Sequence, residues 1–275
     1  MGVVRGSVSI APPDVNALLP RVVALAEQAG AAIMAFYQHT DPGVTYKEDD
    51  SPLTRADLAS HQLLVMGLQL LRPELPVLSE ESQKIPPGQR RAWPRYWLVD
   101  PLDGTKEFIN RRDEFTVNIA LIDGSTPVLG VVFAPAPKVL YSAARGGGAW
   151  KRQAGGPPEP IRVGDYRVGG LKMVVSRLHG GRETDELAGK LKPVECVSIG
   201  SSLKLCLVAE GRAHLYPRLG PTMEWDIAAA QCVVEEAGGT VTDLSGQRLR
   251  YNKVALENPH FIVCGHPPFP WQSYL

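Results

Sequence analysis

The chain reads as an α+β protein of layered helices and sheets. Three observations carry this: an apolar helical pair at the start, short strands split by turns in the middle, and alternating helix and strand patterns after them. From Val15 to Tyr37, the residues Leu18, Val22, Val23, Leu25, Ala26, Ile33 and Phe36 recur at helical spacing, with Asp14 placed to cap the start. A second helical pattern runs from Asp57 to Leu71, and the polar stretch Tyr46 to Pro52 between the two ends in Ser-Pro, a loop signal. Ile85 to Pro94, rich in Pro, Arg and Gly, predicts an exposed loop.

The apolar runs Tyr96 to Val99, Thr116 to Ile122, Val128 to Phe133 and Val139 to Ala143, parted by Asp-Gly or Pro-rich turns, predict an antiparallel meander. Gly146 to Gly148 and the loop Arg152 to Pro160 mark the clearest internal boundary. It divides an α+β subdomain, residues 1–160, from an α/β subdomain, residues 161–275. Beyond it the patterns predict strands at Lys172 to Ser176, Glu195 to Ile199, Thr240 to Asp243 and Phe261 to Cys264. Helices are predicted at Asp185 to Lys192, Ser201 to Glu210 and Trp225 to Ala237, the last closed by Gly238 and Gly239.

Length and composition bound the function. A chain of 275 residues suits one unit of two lobes. Lys+Arg and Asp+Glu balance at 29 each, so no broad nucleic-acid-binding face is implied, although a few placed cations suffice for a small phosphorylated ligand. Cys196, Cys206, Cys232 and Cys264 lie far apart in apolar stretches and read as reduced, buried thiols. The opening residues lack an apolar signal core, no transmembrane segment is visible, and Gly6 stands where a myristoylation signal needs Ser or Thr. The expected compartment is the cytoplasm, with a peripheral place at the inner membrane face as its variant.

The densest chemical signal is Asp100-Pro101-Leu102-Asp103-Gly104-Thr105, directly after an apolar strand. Pro101 favours an extended Asp100, so both carboxylates can face one point, and the Leu102 carbonyl adds a hard oxygen. Gly104 permits a tight turn that could present the Gly104 and Thr105 amides to a phosphate. Alone, the segment also reads as a surface turn. Glu80 and Glu81 follow the apolar run Pro76 to Leu78, and Asp226 opens an apolar helix, where it reads alternatively as a charge favoured by the helix dipole. Together these acids supply the hard ligands that adjacent magnesium ions need.

The ordered set Glu80-Glu81-Ser82, Asp100 to Thr105 and Trp225-Asp226-Ile227-Ala228-Ala229 resembles the signature of the inositol monophosphatase superfamily over nearly the whole chain. Lys47 to Asp57, Gly104 to Phe108 and Ser176 to His179 are similar to its branch of CysQ-type 3′(2′),5′-bisphosphate nucleotidases. The resemblance implies a layered αβαβα sandwich of the sugar phosphatase type. It implies two or three Mg2+ ions held by Glu80, Asp100, Asp103, Asp226 and the Leu102 carbonyl, with Glu81 outside the ligand set. It further implies Asp57 and Thr105 as the pair that orients and deprotonates the attacking water. The implied reaction is removal of the 3′-phosphate of adenosine 3′,5′-bisphosphate, in nucleotide recycling linked to sulfur assimilation.

Substrate choice turns on two cations. Lys204 and Arg218 stand where the inositol phosphatases resemble a neutral and an acidic residue, which suggests a second phosphate on the ligand. The alternatives are an exposed helix residue for Lys204 and a strand-edge charge for Arg218. Gly104, Thr105, Ser201, Ser202 and His179 complete the implied contacts. Two alternatives stand beside this function: an inositol or sugar monophosphatase with the same chemistry, and a silent phosphate or nucleotide sensor, disfavoured because every implied ligand is present. A dinucleotide site at Gly146 to Gly148 lacks the G-x-G-x-x-G pattern. Homodimerisation stays open.

Overall fold

The computed structural model describes residues 14–39, 43–47, 51–82, 84–176 and 182–274. Its first layer is a helical pair, α1 (Val15–Tyr37) and α2 (Arg55–Gln69). Asp14 caps α1 by accepting from the Asn16 and Ala17 amides. Leu18, Val22, Ala26, Ala29 and Ile33 form its buried stripe, one side of the helix at 3.6-residue spacing. By length and composition α1 could cross a membrane, but this stripe packs on α2 and on the sheet below. The segment expected as a loop between the two helices contains a two-residue ladder, β1 (Thr45–Tyr46) against β2 (Pro52–Leu53).

The second layer is a seven-stranded sheet in the order β3-β4-β5-β6-β7-β8-β9. β3 (Val77–Ser79) runs parallel to β4 (Arg95–Asp103). The rest is the expected antiparallel meander: β5 (Thr116–Asp123), β6 (Thr126–Ala134), β7 (Val139–Ala144), β8 (Ala149–Gln153) and β9 (Glu159–Ile161). The last two strands correct the sequence reading. Gly146 to Gly148 forms the hairpin turn into β8, and the sheet runs on into β9, within which the 160/161 division falls. A short helix, α3 (Pro87–Arg90), replaces the exposed loop expected between β3 and β4. Arg90 is buried because its guanidinium donates to the Lys253 and Val254 carbonyls and to Asn252.

Strand alternation assigns each residue its side of this sheet. Trp97, Val99, Ile119, Leu121, Leu129 and Val131 pack under α1 and α2. Tyr96, Leu98, Ala120, Ile122 and Val132 meet the third layer, α6 (Leu203–Ala209) and α7 (Glu224–Glu236). The approach of α7 is close: a Cβ on Gly130 of β6 would stand 2.2 Å from the Ala229 carbonyl oxygen and 2.9 Å from Cys232 Cβ.

The fourth layer is a five-stranded sheet in the order β11-β10-β12-β14-β13. Its strands are β10 (Lys172–Ser176), β11 (Glu195–Ile199), β12 (Leu215–Arg218), β13 (Thr240–Asp243) and β14 (Phe261–Cys264). Val174, Tyr216, Phe261 and Val263 face α6 and α7. Met173, Leu215 and Ile262 face the outer layer of α5 (Arg182–Leu191) and the terminal turn Trp271–Tyr274. The layers therefore run αβαβα, as expected. Cys206, Cys232 and Cys264 are buried free thiols, but Cys196, on the edge strand β11, is exposed.

Candidate active site

Local geometry explains how distant acids meet. The parallel register of β3 and β4 pairs Ser79 with Val99, so the chain leaves β3 with Glu80 beside Asp100, and the Glu80 amide donates to the Val99 carbonyl at 3.0 Å. Asp100 pairs with Asn118 and Asp103 with Thr116, three steps on β4 against two on β5. The extra residue is a bulge that turns the Pro101–Leu102 segment out of the ladder. The Leu102 amide donates to Asp100 Oδ1 at 3.1 Å, and Ser60 of α2 holds the Pro101 carbonyl at 2.7 Å. Gly104, at φ +89°, reverses the chain into α4 (Thr105–Ile109). That left-handed conformation is open to glycine at little cost.

Asp103 accepts from the Ser202 amide at 2.6 Å, which ties the bulge to the start of α6. Asp226 comes from the first turn of α7 and accepts from the Met223 amide at 2.9 Å. Burial pushes the pKa values of Glu80, Asp100, Asp103 and Asp226 up. For Asp100 and Asp226 the other acids add to the effect and drive the carboxyls well above the usual range.

An all-oxygen set of mutually repelling carboxylates has the chemistry to hold divalent cations. Among the described residues, however, no three acidic, His or Cys side chains close on one point as a ready-made shell. Their repulsion opposes closure, and the Lys47 ammonium lies 2.8 Å from Glu80 and 2.6 Å from Glu81. Lys47 is held protonated by these two acids. The sequence alone assigns this lysine no role.

Asp57 and Thr105 meet beside this cluster. Thr54 and Asp57 form a reciprocal cap at the start of α2, in which Asp57 Oδ2 accepts from the Thr54 amide and hydroxyl. The other oxygen, Oδ1, lies 3.2 Å from Thr105 Oγ1, which is also 3.3 Å from the Leu102 carbonyl. Burial pushes the Asp57 pKa up.

A cleft of about 290 Å³ opens over the cluster, lined by Glu80, Asp103, Gly104, Thr105, Ser201, Lys204, Arg218 and Asp226 among others. Asp57, Asp100 and Leu102 are buried and do not line it. Neither cation fits its surface alternative. Lys204 and Arg218 are each 8% exposed, and Arg218 lies on β12, an interior strand between β10 and β14. Burial pulls the Lys204 pKa down to about 8, against the pull of Asp103. Arg218 donates to the Pro221 carbonyl at 2.7 Å, while its Nε is buried without a hydrogen-bond partner. Tyr216, missed in the sequence, lies under Lys204, whose Nζ stands 5.9 Å from its ring centroid, and it lines the same cleft as Arg218. His179 lies outside the described residues.

The inositol monophosphatase family profile matches residues 14–269. The chain is 51% identical over 250 residues to the 3′(2′),5′-bisphosphate nucleotidase CysQ of Escherichia coli K12, spanning 90% of this chain and 99% of that protein. It is 40% identical over 258 residues to the protein of the same name from Haemophilus influenzae, spanning 93% and 96%. The crystal structure of CysQ from Bacteroides thetaiotaomicron superimposes with a TM-score of 0.81 at 40% identity, covering 92% of this chain and 98% of that one. An inositol monophosphatase from Anabaena superimposes with a TM-score of 0.73 at 26% identity, covering 91% of each.

Proposed function

The chain belongs to the inositol monophosphatase family, and we propose that it is a phosphoric monoester hydrolase, a 3′(2′),5′-bisphosphate nucleotidase that converts adenosine 3′,5′-bisphosphate to AMP and phosphate. Its family is metal-dependent. Mg2+, two or three ions, would be held by Glu80, Asp100, Asp103, Asp226 and the Leu102 carbonyl. When bound, they supply Lewis acidity, acidifying water and neutralising charge on the phosphoryl and leaving oxygens. The protein acts in the cytoplasm on a small nucleotide, with no nucleic-acid partner.

The remaining steps belong to side chains. Thr105 Oγ1 donates to Asp57 Oδ1, so its lone pairs can accept a proton from the attacking water while its own proton passes to Asp57. The burial that raises the Asp57 pKa favours that acceptance. The water oxygen bonds to phosphorus as the bond from phosphorus to the ribose 3′-oxygen breaks, and that oxygen takes its proton from a solvent water as it leaves. The turn at Gly104 and Thr105 holds the phosphate undergoing attack, with Ser201 at the cleft wall.

The observation that carries the substrate is the pair Lys204 and Arg218, both buried yet facing the cleft, the latter with an unpartnered Nε. A buried donor without an acceptor is costly, and a second phosphate resolves it. The test compares adenosine 3′,5′-bisphosphate with inositol 1-phosphate, with Mg2+, in wild type, Lys204→Met and Arg218→Met. Loss of one charge-assisted contact should lower kcat/KM on the bisphosphate by about ten- to a hundredfold and hardly touch the monophosphate. Equal losses on both would return the chain to the sugar monophosphatase reading.

A further inference from the structure

The metal and phosphate assignments leave one acidic side chain of the cleft over. Glu107 follows Thr105 by two residues on α4, lines the cleft, and is 7% exposed. Its Oε2 lies 3.3 Å from where a Cβ on Gly104 would stand. Its Cγ and Oε1 lie 2.9 and 3.1 Å from where one on Gly200 would stand. The carboxyl is thus inserted between the turn that receives the phosphate and the glycine before Ser201. Among the described residues no other side chain donates to it, and Lys204 is the cation whose charge reaches it.

An acid in an anion-binding cleft repels a phosphate but accepts from a hydroxyl, and this one sits against the turn assigned to the scissile phosphate. In a nucleoside 3′,5′-bisphosphate the group vicinal to the 3′-phosphate is the ribose 2′-hydroxyl. The base amine lies beyond the sugar, farther from Gly104. Protonated or ionised, a carboxyl keeps an acceptor oxygen. We infer that Glu107 accepts a hydrogen bond from the 2′-hydroxyl and so sets a preference for ribonucleoside over 2′-deoxyribonucleoside bisphosphates. The inference rests on the nucleotidase reading above.

The experiment measures kcat/KM with Mg2+ on adenosine 3′,5′-bisphosphate and its 2′-deoxy analogue for wild type, Glu107→Met and Glu107→Gln. Wild type should prefer the ribonucleotide by roughly tenfold. Glu107→Met keeps the volume and removes the acceptor, so the ratio of the two substrates should fall towards one. Glu107→Gln keeps an acceptor oxygen and should retain most of the ratio. A wild type without preference, or a ratio that survives in Glu107→Met, overturns the assignment. So does a loss shared equally by both substrates, which would make Glu107 a spacer between Gly104 and Gly200. Failure of the underlying reading looks different: wild type then turns over inositol 1-phosphate and neither nucleotide, and the inference falls with it.

Discussion

Glu224 and Asp226 stand two residues apart at the start of α7, yet the fold treats them in opposite ways. Glu224 is fully buried and fully served, accepting from the amides of Asn252 and Lys253 and from Lys253 Nζ at 2.7–3.0 Å. Asp226 opens on the cleft with a single backbone donor, and the repulsion of Asp103 and Glu80 outweighs the pull of Arg218 on its charge. A charge provided with partners is a fixture of the fold; one denied them and set among like charges is a place made for a cation.

Substitution separates the two most sharply. Asp226→Asn should lower turnover on the order of a thousandfold at saturating Mg2+. Its melting temperature without metal should stay level or rise, because a repelling charge is gone. Asp100→Asn and Asp103→Asn should match it, and near-normal turnover in any of the three would remove that acid from the ligand set. Next come Asp57→Asn and Thr105→Ala, expected to reduce kcat by about a hundredfold with little change in KM. A raised KM at constant kcat would mark them as binding groups. Glu224→Gln inverts the pattern, setting an amide donor against three donors. It should cost about 1–3 kcal/mol of stability by denaturant titration while most activity remains.

Acidity sharpens the contrast further. Asp100 and Asp226 have folded-state pKa values raised above their unfolded ones, so they favour the metal-free fold at low pH and lose that contribution as pH rises through the raised values. Without metal, melting temperature should therefore decline between pH 5 and 7.5, below the titration of Lys204 at about 8. His61 and His214, held below their usual 6.5 by burial, push the opposite way. The readout is thus the difference between wild type and Asp226→Asn, at about 1.4 kcal/mol per pKa unit. Added Mg2+ should stabilise more at pH 7.5 than at pH 5, and a pH-independent increment would break the comparison. The smallest effect is expected at Lys47, a cation already placed on Glu80. Removing it as Lys47→Met should shift the Mg2+ concentration for half-activation downward by a factor of about two to five, and an upward shift would make Lys47 a helper of the site.

The acids were legible because each borders an apolar run, Glu80 and Asp100 at its end and Asp226 at its start, and the run ends are local facts. What brings them together is a parallel register between Ser79 and Val99 and a bulge between Asp100 and Asp103, neither of which any short window displays. β12 escaped because Pro217 reads as a strand breaker. It is tolerated there because β10 and β12 pair only at Met173 and Leu215, so no ladder bond on that side needs the missing amide. Arg90 escaped for the reverse reason: an arginine among prolines and a glycine reads as solvated, and the carbonyls that bury it come from residues 253 and 254. Lys204 and Arg218 were nameable only through resemblance, since their burial depends on packing between two sheets.

Gly130 gives the site a calibration far from the chemistry. With a bare Cα there, α7 settles onto β6 at the depth that sets Asp226, three residues before Ala229, against the end of β4. A single methyl acts as a shim under that helix: Gly130→Ala must push the Ala229 carbonyl away, lifting the whole N-terminal turn. A scan for loss of activity would therefore score Gly130 beside the acids, although its own atoms touch neither metal nor nucleotide, and graded replacements there would tune the reach of Asp226 without altering any charge.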